Sequence, residues 1–224
     1  NVVFMRYPYY LFKAPSNISS LISPGSVRFF HPSNLDWKYS DSNVNRNSTK
    51  GNDRFIRAFA RAIKAGLDGY CVILDRGQDK DIAKELINQL GVNEYFIWKN
   101  HLDRTELVQE YIKADVIIDQ FDVGGFGGIA IEAMSLAKPV MIYLNEQCQR
   151  LLYSKLPPVL QCQSEEEIFQ QIMRCQDKGF LASLGQRAQE WVYENHYFET
   201  CLDEFIFYYS LFTGHKILDY GFNG

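Results

Sequence analysis

The chain has 224 residues, 46% hydrophobic and 22% charged, with 23 Lys and Arg against 27 Asp and Glu for a formal net charge of −4. That composition suits one globular α/β domain with appendages and excludes a disordered chain, and without a basic surplus it argues against nucleic acid as a partner. No apolar run approaches the roughly 20 residues of a membrane-spanning helix, and the five cysteines, with no CxxC or Cys/His cluster, read as buried reduced thiols of a cytoplasmic protein rather than a zinc site.

Residues 1–26 are irregular and aromatic-rich, and the opening "NVVFMRYPYY" lacks an initiator Met and a secretory signal pattern, so this segment is read as a linker from, or remnant of, a missing domain. From Val27 short β-branched or aromatic runs alternate with stretches of helical spacing. Strands are predicted over 27–31, 70–74, 95–98, 116–118, 139–143 and 159–160. Helices are predicted over 52–65, 80–90, 104–112, 127–136 and 165–175. Apolar strands separated by helices predict a Rossmann-like, doubly wound parallel sheet with helices on both faces, spanning 27–178. The polar low-complexity stretch Lys38–Thr49 is read as a flexible insertion. Over 179–213 two helices are predicted, "LASLGQRAQEWVYEN" and "FETCLDEFIFYYSLF", ahead of a tail at 214–224. The aromatics of the second are expected to bury against the parent domain, with docking onto a missing domain as the alternative.

In such a sheet the ligand lies beyond the carboxyl ends of the strands, which directs attention to "DVGGFGGIAIEAM" from Asp122. Glycines let backbone amides approach a ligand closely, and a helix N-terminus offers free N–H groups and partial positive charge, so an anion, most naturally phosphate, fits there. Glu132, in the second turn of that helix, can accept hydrogen bonds from both hydroxyls of a ribose. Gly125 to Ala130 also satisfies the G-x-G-x-x-G/A dinucleotide fingerprint, with Glu146 as the acid about 20 residues on. That reading, an NAD-dependent oxidoreductase, is weakened by the loop from Asp119 to Gly124 and by the position of the glycines late in the chain.

The segment "ADVIIDQFDVGGFGGIAIEAMSLAKPVMIY" resembles the donor-binding segment of GT-B retaining glycosyltransferases, the large nucleotide-sugar-dependent family 4-like, group 1 enzymes. Supporting pieces follow in order: "FFHPSN", "KGNDRFIRAFA", "YCVILDRGQD", "YFIWKNHLDRTELVQEYIKADVII" and, after the glycine segment, "GQRAQEWVYENHYFE". The resemblance covers about Val27 to Phe212 and implies a C-terminal donor-binding half-domain, whose last aromatic helix crosses back toward an acceptor-binding N-terminal domain. It implies retaining transfer of a glycosyl group from a nucleoside diphosphate sugar to an acceptor hydroxyl in polysaccharide or glycoconjugate synthesis. No cofactor beyond that donor and no tightly bound metal are implied. The partners are then the nucleotide sugar and a glycan or lipid-linked acceptor, with peripheral membrane association of the full-length protein left open, and the half-domain alone is expected to need its N-terminal partner for activity.

By the same resemblance Glu132 matches the second acid of the E-x7-E motif and holds the ribose. Lys50 matches the lysine on the donor diphosphate, and Gly124, Gly125, Phe126, Gly127 and Gly128 match the loop around the phosphates and sugar. The motif's first acid is replaced by Gly124, with Asp122 or Asp119 as substitutes, and the arginine after the first strand falls near Asn34, leaving Arg46 as the nearby guanidinium. Asp36 and His31 are secondary candidates beyond the first strand, and the backbone over 97–100 matches the nucleobase-facing loop. The two replaced charged groups support a rival reading as a non-catalytic nucleotide-binding module.

Overall fold

A computed structural model, describing residues 6, 9, 11, 12, 25–38 and 49–213, realises the alternation as one six-stranded parallel sheet. The strands are β1 (Val27–His31), β2 (Gly69–Leu74), β3 (Phe96–Lys99), β4 (Val116–Ile118), β5 (Val140–Ile142) and β6 (Leu160–Gln161), hydrogen-bonded in the order β3-β2-β1-β4-β5-β6. The helices are α1 (Asn52–Lys64), α2 (Lys80–Leu90), α3 (Arg104–Lys113), α4 (Gly128–Ser135), α5 (Glu146–Leu152), α6 (Glu165–Arg174), α7 (Lys178–His196) and α8 (Phe198–Thr213). Most of the irregular opening, residues 39–48 of the expected insertion with Arg46, and the tail 214–224 lie outside the described residues.

Successive residues of each strand face opposite sides, so both faces must be covered. Phe29, Cys71, Ile73, Ile118 and Met141 pack with α1, α2 and α6, whereas Phe30, Val72, Ile117 and Ile142 pack with α3, α4 and α7. On the first face the rings of Phe29, Phe55, Phe59, Phe96 and Phe121 form a continuous cluster at centroid separations of 5.1–6.5 Å. Helix starts are built locally. Asp103 with Glu106, and Ser164 with Glu167, close reciprocal capping boxes at α3 and α6.

The boundaries move by a residue or two from the sequence expectation, and three differences have physical causes. The third strand begins at Phe96 rather than 95 because Asn93–Tyr95 forms a 3-10 turn into it. Helix α5 was not expected. Its seven residues are too few to show a period, although its Asn145 cap, accepting from the Cys148 amide at 3.1 Å, is readable. The third concerns α8, where burial of the aromatics is not met: Phe198, Phe205, Phe207, Tyr209, Leu211 and Phe212 are 40–64% exposed, and only Cys201 is buried. Helix α7, in contrast, packs tightly on α4. At Gly185 a Cβ would come within 2.0 Å of the Ala137 carbonyl oxygen.

Candidate functional site

Strand order reverses between β1 and β4: the chain runs outward through β2 and β3, then returns to the centre at β4. The crevice beyond the carboxyl ends of these two strands is therefore the site the topology offers. Three segments converge on it: residues 32–38 after β1, residues 49–54 entering α1, and residues 119–127 between β4 and α4. The Lys50 carbonyl accepts from the Phe121 amide at 2.8 Å, so the expected diphosphate lysine and the glycine loop are brought together.

The glycine loop is held from beneath by Gln120, which the sequence reading missed. Its buried side-chain oxygen accepts from the amides of Asp122 (3.0 Å) and Val123 (2.7 Å), and its Nε2 donates to the carbonyls of Gly125 (3.0 Å) and Tyr143 (2.9 Å). Gly124 has φ of 73°, in the left-handed region that disfavours a side chain, and its carbonyl accepts from the Asn145 amide at 2.8 Å. The missing motif acid is thus missing where this backbone would strain to carry it. Gly125 opens onto free space, Gly127 caps α4 with no side-chain cap bond, and Gly128 is the first helical residue. The first-turn amides of α4 are consequently left to a ligand. Phe126 departs from the expectation: its ring packs against Tyr153, Trp191 and His196, so its side chain anchors the loop to α7.

The secondary candidates sort differently. Asn34 is exposed. Asp36 accepts from the Gln78 amide at 2.7 Å through its carboxylate and from the Lys50 amide at 2.6 Å through its carbonyl, which makes it a brace between loops. Asp122 accepts from Thr49 Oγ1 at 3.0 Å and pairs with Arg54, so it is not a free acid. Two guanidiniums reach the crevice margin where the sequence offered only Arg46. Arg76 donates to the Pro32 carbonyl at 2.5 Å, and Arg54 comes from the first turn of α1. Arg76 was legible, standing directly after a predicted strand in "DRGQD"; Arg54 arrives only through tertiary approach.

Glu132 projects from α4 with its side chain 15% exposed. Oε1 accepts from Arg104 Nη1 at 2.9 Å and Oε2 from the Tyr111 hydroxyl at 3.4 Å, while the Arg104 guanidinium also lies over the Phe12 ring at 4.8 Å. A ligand hydroxyl at Glu132 must share or displace Arg104. A hollow of about 420 Å3 lined by Phe12, Arg104, Thr105, Val108 and Gln109 gives that side chain room to move. Glu146, the acid of the dinucleotide alternative, is an exposed first-turn residue of α5 paired with Arg150 at 2.5 Å, and the glycines follow the fourth strand. The geometry of an NAD site is not met.

At the base of the crevice His31 is fully buried, with Asn52 Nδ2 at 3.0 Å from its Nε2, and burial above all, reinforced by the Arg76 charge, lowers its pKa to about 4. It is a neutral, packed strand-end residue. Asp119, directly after β4, is 2% exposed, and burial raises its pKa to about 6 against the opposing charge of Lys50. Among the described residues no group of His, Cys, Asp and Glu is arranged to hold a metal ion, and no helix is long and apolar enough to cross a membrane.

Residues 43–151 match the family model of glycosyl transferases, group 1. That stretch contains Lys50, the glycine loop and Glu132, and it bears out the resemblance read from the sequence. No curated protein matches the chain by sequence. Among solved structures, TarM from S. aureus, crystallised with UDP among its ligands, superposes with a TM-score of 0.67 at 15% identity over 88% of this chain and 37% of its own. HepE from Anabaena, in complex with UDP and glucose, gives 0.66 at 20% identity over 94% and 56%. The C-terminal domain of the group 1 glycosyl transferase LpcC from Francisella tularensis gives 0.58 at 18% identity over 84% and 97%. The chain thus spans 37% and 56% of the TarM and HepE chains and nearly all of the isolated LpcC domain. These likenesses show the fold, a Rossmann-like GT-B half-domain.

Proposed function

We propose that this chain is the C-terminal, donor-binding half of a glycosyltransferase, and that it binds a nucleoside diphosphate sugar in the crevice between β1 and β4. The observation that carries the proposal is the convergence of Lys50, the uncapped glycine N-terminus of α4 and the half-buried Glu132 at the switch point of the sheet. Lys50 and the α4 amides hold the diphosphate, and Glu132 takes the ribose hydroxyls once Arg104 yields. Gly124, Gly125, Gly127 and Gly128 let the donor approach the backbone. As the glycosidic bond breaks, charge accumulates on the leaving diphosphate, and fixed donors aimed at it lower the barrier without a bound metal or any cofactor beyond the donor. UDP in the TarM and HepE complexes supports the ligand class. Retaining transfer of a hexosyl group, a glycan or lipid-linked acceptor seated on an N-terminal domain, a place in polysaccharide or glycoconjugate synthesis, and a cytoplasmic, peripherally membrane-associated setting all extend this reading by family resemblance.

Calorimetric titration with UDP, GDP and ADP tests it. One nucleoside diphosphate is expected to bind, and a charge-assisted hydrogen bond contributes about 1.5–3 kcal/mol, so Glu132→Ala is expected to weaken it by roughly ten- to a hundred-fold. Lys50→Ala is expected to weaken the diphosphate far more than the matching nucleoside. Affinity unchanged in Glu132→Ala, or equal losses for nucleoside and diphosphate in Lys50→Ala, would remove those residues from the site.

The rival reading, a nucleotide-binding module without catalysis, is favoured by one observation, the left-handed backbone of Gly124 in place of the motif's first acid. Transfer of labelled sugar by the full-length protein separates the two.

A further inference from the structure

Two buried polar atoms at the base of the crevice have no hydrogen-bond partner among the described residues and are used by none of the contacts above: Asp119 Oδ2 and Ser33 Oγ. Ser33 is 1% and Asp119 2% exposed. They follow the two central strands, and the parallel register that sets Phe30 against Ile117 carries the end of β1 level with Asp119. Ser33 lies close enough to Asp119 to favour its ionised form, yet the two do not close a hydrogen bond of standard geometry. The carboxylate faces the cap of α4: Oδ2 is 3.8 Å from where a Gly127 Cβ would stand. Lys50 is its nearest opposing charge.

Leaving a buried carboxylate oxygen and a buried hydroxyl unpaired is costly, so such a pair beside a ligand crevice marks atoms reserved for a ligand. The chemistry narrows that ligand. A carboxylate repels phosphate oxygens, and Lys50 beside it disfavours a divalent cation; a neutral hydroxyl is the complementary group. The sugar of a nucleotide sugar is bonded directly to the diphosphate, so one donor can place phosphate at Lys50 and a sugar hydroxyl at Asp119.

We propose that Asp119 and Ser33 form a sugar-hydroxyl subsite, with Asp119 taking over the carboxylate role left vacant by Gly124. The inference rests on the donor-binding reading above. Asp119 accepts a hydrogen bond from a hydroxyl of the transferred glycosyl group, and Ser33 accepts from or donates to the same or the adjacent hydroxyl. Asp122, the other substitute weighed from the sequence, is engaged by Thr49 and Arg54.

The test compares each nucleoside diphosphate with its sugar conjugate, UDP with UDP-glucose, GDP with GDP-mannose and ADP with ADP-glucose, on the wild-type chain and on Asp119→Asn and Ser33→Ala. For the base that binds, Asp119→Asn is expected to lower the affinity of the sugar conjugate roughly tenfold while leaving the bare diphosphate within about twofold or tighter, and Ser33→Ala to act in the same direction by about threefold. Circular dichroism establishes that each variant is folded; if Asp119→Asn is not, the Ser33→Ala comparison decides by itself. A variant that loses conjugate and diphosphate equally, or keeps the wild-type preference, overturns the subsite and leaves the diphosphate site standing. A wild-type chain that binds none of the six overturns the donor-binding reading and the subsite together.

Discussion

Asp119 and His31 are both buried at the end of the central strands, and their ionisation pulls stability in opposite directions. The Asp119 carboxyl titrates near 6 in the fold, above its model value of 3.8. Between those values the native state holds a proton that the unfolded chain has lost, so this residue costs stability as pH rises from 3.8 to 6, and the cost is then constant. His31 titrates near 4 against a model value of 6.5, so the unfolded chain binds the extra proton and stability is lost as pH falls from 6.5 toward 4. The two windows overlap and the effects offset. Asp119→Asn removes one side of the balance: it is expected to raise stability at pH 7 by about 1–3 kcal/mol, an advantage that shrinks below pH 6 and vanishes near 4. Thermal melts of both proteins across that range read it directly. A loss of stability at pH 7 would mean that Asp119 is a structural residue. The motif acid missing at Gly124 has an equally local cause, since a residue at φ of 73° whose Cβ would lie 3.2 Å from Asn145 and 3.3 Å from Tyr143 is poorly suited to a glutamate.

Among the elements, those with their own period or cap were legible: β1, β4 and α2 fall where the apolar pattern put them, and the paired acids and caps of α3 and α6 announce their starts. The site was legible in its local parts, the glycine run, Glu132 and the Lys50–Gly51 helix start. What could not be read were contacts made by partners distant in the chain. Arg54 reaches Asp122, Arg104 reaches Glu132, and Gln120 gathers the amides and carbonyls of a loop whose path only the fold defines. Gln120→Leu keeps the apolar bulk and strips four hydrogen bonds from that loop. About 2–4 kcal/mol of destabilisation is expected, because the freed buried backbone groups lose their partners, together with weaker nucleoside diphosphate binding; denaturant melts and calorimetry check the two effects. Gly185, at the α7 crossing over α4, has no such latitude. A Cβ 2.0 Å from the Ala137 oxygen forces the helices apart, and Gly185→Ala is expected to cost about 3 kcal/mol or more. A melting temperature within a degree or two of wild type would show that α7 can slide.

At the scale of the molecule, the doubly wound sheet was expected and found, and α8 is where composition misled. Its residues are as apolar as a core helix, but a helix with aromatics on most of its surface has more to bury than one neighbour can cover, and this one meets the rest of the described chain mainly through α7, Cys201 and the 2.9 Å pair of Glu204 with Arg6. The sheet has a second asymmetry. Pairing of β1 with β2 runs from Val27 to His31, whereas β1 and β4 are joined only through Phe29 and Phe30. One half, β1 to β3 with α1 and α2, and the other, β4 to β6, therefore meet along a short seam that opens into the crevice. A ligand anchored by Lys50 on one side and by the α4 amides on the other spans it like a rivet. Occupancy should then slow amide hydrogen exchange along β4 and the end of β1 more than at β3 or β6, so that the same molecule read out as a substrate is also what fastens the two halves of the sheet.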